Sequence, residues 1–186
     1  MFELTKNIQK AVHKGNRKVI LELYNTTFQV LMGNAVRYSN DKEKQMQIVN
    51  NAFMKIVSNI NQYKIGTTYF SWAKQIVNRE IIDDFRKSKK YNQVFKLQGD
   101  YQENQLEVDS YSVTNHGFQP EHLQKMLNQL PPATKMVFNL FAIDEYSYKD
   151  IAEELDISYE TVKWHMKEAR KQLRQEIKEV KHLKII

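Results

Sequence analysis

Apolar residues recur along most of the chain every three or four positions, the spacing that places side chains on one face of an α-helix. Only 5 Gly and 3 Pro interrupt the pattern. It predicts an all-α protein with helices at residues 5–14, 18–38, 67–90, 120–129, 133–142, 147–155 and 158–173, and another that begins at Asp41. The residues expected to face inward are Ile20, Leu23, Tyr24, Phe28, Leu31, Val36, Met46, Val49, Phe53, Ile56, Val57, Ile60, Phe70, Trp72, Ala73, Ile76 or Val77, Ile81, Phe85, Leu123, Met126, Leu127, Leu130, Val137, Leu140 and Phe141.

The helical pattern stops at residues 91–119, which are rich in Gln, Asn and Ser and carry one Lys against four acidic residues. A stretch without hydrophobic period indicates a linker rather than a domain. The predicted organisation is therefore two small helical domains, 1–91 and 120–186, joined by a flexible acidic linker at 92–119. A tether without contacts of its own and a functional acidic arm are both open for this linker.

The C-terminal domain contains the pattern of a helix-turn-helix. Ser147 and Asp150 have the spacing of a capping box, and Ser158 can cap a second helix. Asp156 lies in the turn between them, and Asp tolerates a left-handed backbone better than most residues. An apolar stripe then continues along the second helix, through Val162, Met166, Ala169 and Leu173.

The polar side of that second helix has the composition of a DNA-reading surface. From residue 158 to 186 there are eight Lys or Arg and four Asp or Glu, and a helix in the major groove presents its first turns to base edges. The residues predicted to contact DNA here are Tyr159, Glu160, Thr161, Lys163, Trp164, Lys167 and Arg170. The alternative is that late basic residues only complement the helix dipole and the solvent.

A second candidate nucleic-acid surface lies at residues 61–68, a polar loop that precedes the aromatic residues Tyr69, Phe70 and Trp72. The helix that follows ends in four basic residues among positions 86–90. Rings can stack on bases while basic side chains hold phosphates, which suits a single strand. Rings at helical spacing are also ordinary core residues; that reading is preferred for Phe70 and Trp72, and both stay open for Tyr63 and Tyr69.

Composition narrows the possible functions. The formal net charge of +6 and a pI of about 9.3 favour a polyanionic partner. The absence of Cys excludes disulfides, thiolate zinc sites and cysteine nucleophiles. No apolar run is long enough to cross a membrane, so a cytoplasmic protein is expected. The five His are scattered and Asp83 and Asp84 diverge on a helix, so we predict no enzyme activity, no metal, no cofactor and no small-molecule substrate.

Together these segments resemble the sigma-70 family of bacterial transcription initiation factors, and within it the extracytoplasmic function (ECF) group. The resemblance rests on LNQLPPATKMVFNLFAIDEYSYKDIAEELDISYETVKWHMKEARKQLR for region 4, and on NNAFMKI and FSWAKQIVNREIIDDFRKSKK for region 2. It implies a non-catalytic subunit that binds core RNA polymerase, directs it to promoter DNA and helps to open the duplex. It also implies an anti-sigma factor as a partner.

The resemblance further implies roles for individual residues. The start of the second helix would read the minus-thirty-five element. The residues that would bind the minus-ten element are Tyr63, Lys64, Thr67, Thr68, Tyr69, Asn78, Arg79, Asp83 and Arg86. Core polymerase would be bound through Gln47, Asn50 and Asn51, and the acidic linker would pass through a polymerase channel.

The competing interpretation is a transcriptional regulator with a LuxR-like output domain, because DISYETVKWH also fits that class. Such a protein would require a ligand-binding or phosphate-accepting domain before the helix-turn-helix. The helical pattern of the first 90 residues lacks the alternation of strands and helices typical of a receiver domain.

Overall fold

The computed structural model describes residues 2–88 and 120–183, with the side chains of 2–88 and 122–177. The described residues form eight α-helices and one 3-10 turn, and no strand, which confirms the predicted all-α class. The chain divides into two compact units, Met1–Lys87 and Ser88–Ile186. The predicted linker at 92–119 and the predicted helix end at 89–90 lie outside the described residues.

The N-terminal unit is a bundle in which three longer helices pack against one another. Its elements are α1 (Lys6–His13), α2 (Arg17–Tyr38), α3 (Lys42–Ser58), the 3-10 turn (Ile60–Gln62) and α4 (Tyr69–Lys87). The side chains of Thr5, Asn16 and Asp41 accept backbone N–H bonds at the starts of α1, α2 and α3, which satisfies amide groups that have no partner inside a helix. The core is apolar, and its fully buried members include Leu31, Ile56 and Val77.

The C-terminal unit packs three helices around a fourth. Its elements are α5 (Pro120–Gln129), α6 (Pro132–Ala142), α7 (Tyr148–Leu155) and α8 (Tyr159–Leu183). Met126, Leu127 and Leu130 pack on Ala169 and Leu173, which joins α5 to the middle of α8. Within the described ranges, no helix combines the length and hydrophobicity that a membrane crossing requires.

Three residues expected in the core are instead exposed: Val36, Met46 and Leu123. Val36 lies five positions after Leu31, which turns it away from the face that Leu31 and Ala35 bury, whereas Met46 and Leu123 follow the apolar period near the starts of α3 and α5. For these last two the expectation was wrong because the period gives the direction of a face and not the length over which it is covered.

Candidate nucleic-acid interface

The start of α8 is fixed by local hydrogen bonds in the helix-turn-helix. Ser147 Oγ accepts the Asp150 N–H at 3.1 Å, and Asp150 Oδ2 accepts the Ser147 N–H at 3.1 Å, so the predicted capping box is present. The hydrogen bond from Ser147 Oγ–H is the main cause that lowers the pKa of Asp150. Asp156 is left-handed, with φ 51° and ψ 49°, and Ser158 Oγ accepts the Thr161 N–H at 3.0 Å.

The buried side of α8 contains the four predicted apolar residues and one histidine. Val162, Met166 and Ala169 are almost inaccessible to solvent. His165 lies among them with 1% exposure, and its Nδ1 is 3.0 Å from Thr134 Oγ1 of α6. Burial lowers the pKa of His165 to about 4, because a charged imidazolium would lose its hydration there. His165 is therefore a neutral part of the contact between α6 and α8 near pH 7.

The outer side of the first turn of α8 carries a small interacting group. Tyr159 is 46% exposed, and Lys163 Nζ lies 5.0 Å from its ring centroid. Lys163 Nζ also lies 3.1 Å from Glu160 Oε1. These two contacts favour one position of the Lys163 ammonium group, which stays accessible to solvent. This group, Tyr159, Glu160 and Lys163, is called the first-turn triad below.

The other predicted α8 contacts differ in accessibility. Lys167 and Arg170 are exposed, whereas Thr161 and Trp164 are half-buried. The Trp164 ring packs edge-on against His165, with centroids 4.8 Å apart. Trp164 therefore presents only part of its ring to solvent, while the two basic side chains extend the positive surface along the helix.

In the N-terminal unit, the predicted loop contains a tight turn. The Thr67 N–H donates to Lys64 O at 3.2 Å, and Thr67 Oγ1 donates to the same carbonyl at 2.7 Å. Gly66 has φ +88°, a conformation that a glycine adopts without strain. The side chains of Lys64, Thr67 and Thr68 are exposed. The segment 64–68 is called the loop tip below.

Tyr63 and Tyr69, predicted to stack on an unpaired base, are core residues. They are only 3% and 2% exposed, and their ring centroids are 5.9 Å apart. Tyr69 Oη is 2.8 Å from Thr27 Oγ1, and burial raises the pKa of Tyr69 to about 12. Neither ring offers a face to a base in this structure, so the core alternative applies to both. Polar neighbours in the sequence do not indicate where a ring points.

The residues of α4 that are predicted to contact DNA differ in their exposure to solvent. Arg79 and Arg86 are exposed, but Asn78 is buried, so its predicted DNA contact is not available in this structure. Asp83 Oδ2 lies 3.3 Å from Lys55 Nζ of α3. Asp84 Oδ2 lies 2.7 Å from Lys44 Nζ. The two aspartates thus bind lysines of α3.

The residues predicted to bind polymerase form a continuous strip on α3. Gln47, Asn50 and Asn51 are exposed at spacings of three and one, and Met54 continues the strip at 62% exposure. Asn50 Oδ1 accepts a hydrogen bond from Tyr24 Oη at 3.2 Å. The strip is therefore mainly uncharged, with an apolar end at Met54.

Sequence reasoning missed three polar residues that hold these surfaces in place: Gln9, Glu80 and His165. Glu80 accepts from Asn51 Nδ2 at 2.9 Å and pairs with Lys55 at 2.6 Å, and this pairing is the main cause that raises the pKa of Lys55. A signal existed for Glu80 and His165, since each lies within the apolar period of its helix. No sequence signal marks Gln9, whose partners are more than 50 residues away.

Comparison with known families decides the nature of the C-terminal unit. Residues 121–173 match the family model described as sigma-70, region 4. Residues 121–173, which include the helix-turn-helix, are a sigma-70 region 4 domain. The match ends at Leu173, so it includes the whole helix-turn-helix and the first-turn triad. The predicted relationship to the sigma-70 family is thereby confirmed in the part of the chain where the sequence resemblance is most specific.

Two solved structures are similar to most of the chain, with TM-scores below 0.5. One is the sigma factor RpoE of Bartonella quintana in complex with the anti-sigma factor NepR: 20% identity, 89% of this chain and 98% of that chain covered, TM-score 0.49. The other is CnrH in complex with the cytosolic domain of CnrY: 15% identity, 92% and 95% covered, TM-score 0.47. Similarity at this level transfers no residue role or partner. No curated protein matches the chain.

Proposed function

We propose that this chain is a sigma factor of the ECF type: a non-catalytic subunit that binds core RNA polymerase, brings it to specific promoters and promotes opening of the duplex. The observation that carries the proposal is the region 4 match at residues 121–173, with an accessible recognition helix. A helical N-terminal unit with a separate accessible loop supports the second half of the activity.

Helix α8 would bind the minus-thirty-five element as a duplex. The first-turn triad lies where a helix in the major groove meets base edges, and Lys can donate to guanine while Glu can accept from cytosine. Lys163 and Glu160 are paired in the free protein, so each must exchange its partner for DNA. Lys167 and Arg170, farther along the helix, are suited to phosphate contacts, which add affinity without sequence information.

The loop tip and α4 would bind the minus-ten element. Because the rings of Tyr63 and Tyr69 are buried, the side chains available to an unpaired base are those of Lys64, Thr67 and Thr68. Lys can contact a phosphate, the Thr68 hydroxyl can hydrogen-bond a base edge, and the Thr67 hydroxyl, which donates to Lys64 O, can still accept from one. Arg79 and Arg86 would hold the adjacent backbone.

Core polymerase would bind to the α3 strip. Uncharged amides beside an exposed methionine resemble the composition of a protein interface more than that of a DNA surface. Met54 is the most exposed large apolar side chain of the described residues, and its burial would supply hydrophobic contact area. The anti-sigma factor implied by the sequence resemblance stays a prediction.

Run-off transcription with core enzyme tests the proposal, on a promoter selected from a random-sequence library by the reconstituted holoenzyme. Lys163→Glu should abolish transcription that depends on the minus-thirty-five element and leave core binding intact. Met54→Glu should weaken core binding, while Asn7→Glu, which adds the same charge to an exposed site of α1, should not. Transcription from the selected promoter that is unaffected by Lys163→Glu would contradict the assigned DNA surface.

The LuxR-like alternative is not favoured by the fold of the N-terminal unit. Residues 2–88 contain helices and no strand, whereas a receiver domain alternates the two. Binding of a palindromic site by the purified chain alone, with no effect of core polymerase on specificity, would support the alternative.

A further inference from the structure

Helix α1 contacts the segment that leads into the loop tip through two polar side chains on one face. Gln9 Nε2 donates to Ile60 O at 2.8 Å and to Tyr63 O at 3.1 Å. One turn later, His13 Nδ1 is 2.8 Å from Asn61 Nδ2. The Gln9 amide therefore donates to backbone carbonyls at both ends of the segment 60–63.

Tyr63 continues this connection to the loop tip. Its carbonyl accepts from Gln9, and its hydroxyl donates to Thr67 O. Thr67 in turn closes the turn on Lys64 O through both its N–H and its hydroxyl. A continuous series of hydrogen bonds thus runs from the side chain of α1 to the residues whose side chains are exposed at the tip.

The buried ring of Tyr63 explains how this series keeps a fixed direction. The ring packs against those of Tyr69 and Trp72, with centroids 5.9 and 5.4 Å away. The Tyr63 ring therefore cannot rotate freely, and its hydroxyl donates to Thr67 O from a fixed position. A binding loop that is ordered before it meets its ligand loses less conformational entropy on binding.

We propose that Gln9 is a positioning residue for single-strand recognition: through Ile60 O and Tyr63 O it holds the loop tip in the conformation that receives an unpaired base. The inference rests on the proposed function of the loop tip. It assigns to α1 a role in promoter opening although α1 carries none of the predicted DNA contacts. Gln9 itself touches no DNA and acts through Tyr63.

The test uses Gln9→Met, which keeps the length of the side chain and removes both donors. The control is Asn7→Met, which also replaces an amide on α1 but at an exposed position. The probe is a short fluorescent single strand selected from a random pool by the wild-type holoenzyme. We expect Gln9→Met holoenzyme to bind this strand about fivefold more weakly, because a fraction of loop tips leaves the competent conformation. Asn7→Met should bind it as the wild type does.

Two further measurements separate positioning from general stability. Core binding and binding of the minus-thirty-five duplex should be unchanged by Gln9→Met at a temperature well below its Tm. Tyr63→Phe removes the next hydrogen bond of the series. The loss of single-strand affinity in the double variant should therefore be smaller than the sum of the losses in the two single variants, as for residues that act on one element. Tyr63→Phe also keeps the test decisive if Gln9→Met does not fold.

Single-strand affinity within about twofold of wild type for both variants would overturn the inference, since the loop tip would then keep its competent conformation without these hydrogen bonds. A wild-type holoenzyme that transcribes from its promoter but fails to select any single strand would overturn it as well. Failure of the wild type to bind core enzyme at all would instead contradict the proposed function.

Discussion

His165 provides a quantitative test of how region 4 holds its recognition helix. The imidazole is buried between α6 and α8, 3.0 Å from the Thr134 hydroxyl, and burial lowers its pKa to about 4. In the unfolded chain the pKa returns to the ordinary value of 6.5. As the pH falls from about 6.5 to about 4, the unfolded state therefore takes up a proton that the folded state does not, and the free energy of unfolding decreases.

The size of this loss follows from the two pKa values. At about pH 5 the linkage relation gives a decrease of about 2 kcal/mol relative to pH 7.5, and below pH 4 it approaches about 3 kcal/mol. A loss of this size is a large fraction of the stability of a small domain. His165→Asn removes the titration and can keep a hydrogen bond to Thr134, because the amide oxygen lies close to the position of Nδ1.

Urea unfolding monitored by Trp164 fluorescence measures the effect. The chain has 2 Trp, so a Trp72→Phe background restricts the signal to the C-terminal unit. His165→Asn leaves a small cavity, whose cost to the free energy of unfolding does not depend on pH, so the comparison is between the changes of the two proteins with pH. Between about pH 7.5 and 5, the free energy of unfolding of the wild type should decrease by about 2 kcal/mol more than that of His165→Asn. Equal decreases would refute the burial of a neutral imidazole in this contact.

Three smaller perturbations test other parts of the structure. Glu80→Ala should lower the free energy of unfolding of the N-terminal unit by about 1–3 kcal/mol, since it removes the acceptor of two interhelical contacts; an unchanged urea midpoint would contradict this. Ser147→Ala should lower the Tm of the C-terminal unit by removing a cap, and calorimetry would detect it. Gly66→Ala should cost about 1 kcal/mol because φ is positive, whereas Gly33→Ala, inside α2, should stabilise by up to about 1 kcal/mol. An effect of Gly66→Ala that is neutral or stabilising would contradict the assigned loop conformation.

Features that depend on neighbours in the sequence were predictable. The capping box at Ser147, the left-handed Asp156 and the cap at Ser158 follow from hydrogen bonds between residues three or four apart. The buried stripe that begins at Val162 follows from the helical period. For this reason the helix-turn-helix and its accessible side could be derived before the fold was known.

Features that depend on distant residues were not predictable in the same way. The position of the Tyr69 ring depends on Thr27 of α2 and on Phe2, whose ring centroid is 5.2 Å away. The role of Gln9 depends on carbonyls in another element. A polar loop next to aromatic residues is compatible with both exposed and buried rings, and only the packing of the bundle decides between them.

The direct test of the central claim is association of the purified chain with core RNA polymerase over a range of ionic strengths, followed by promoter binding. We predict a stoichiometric complex on size exclusion, and specific binding to the selected promoter that requires both components. Absence of association at every ionic strength would contradict the account, and would leave the C-terminal unit as a duplex-binding domain without a role in polymerase.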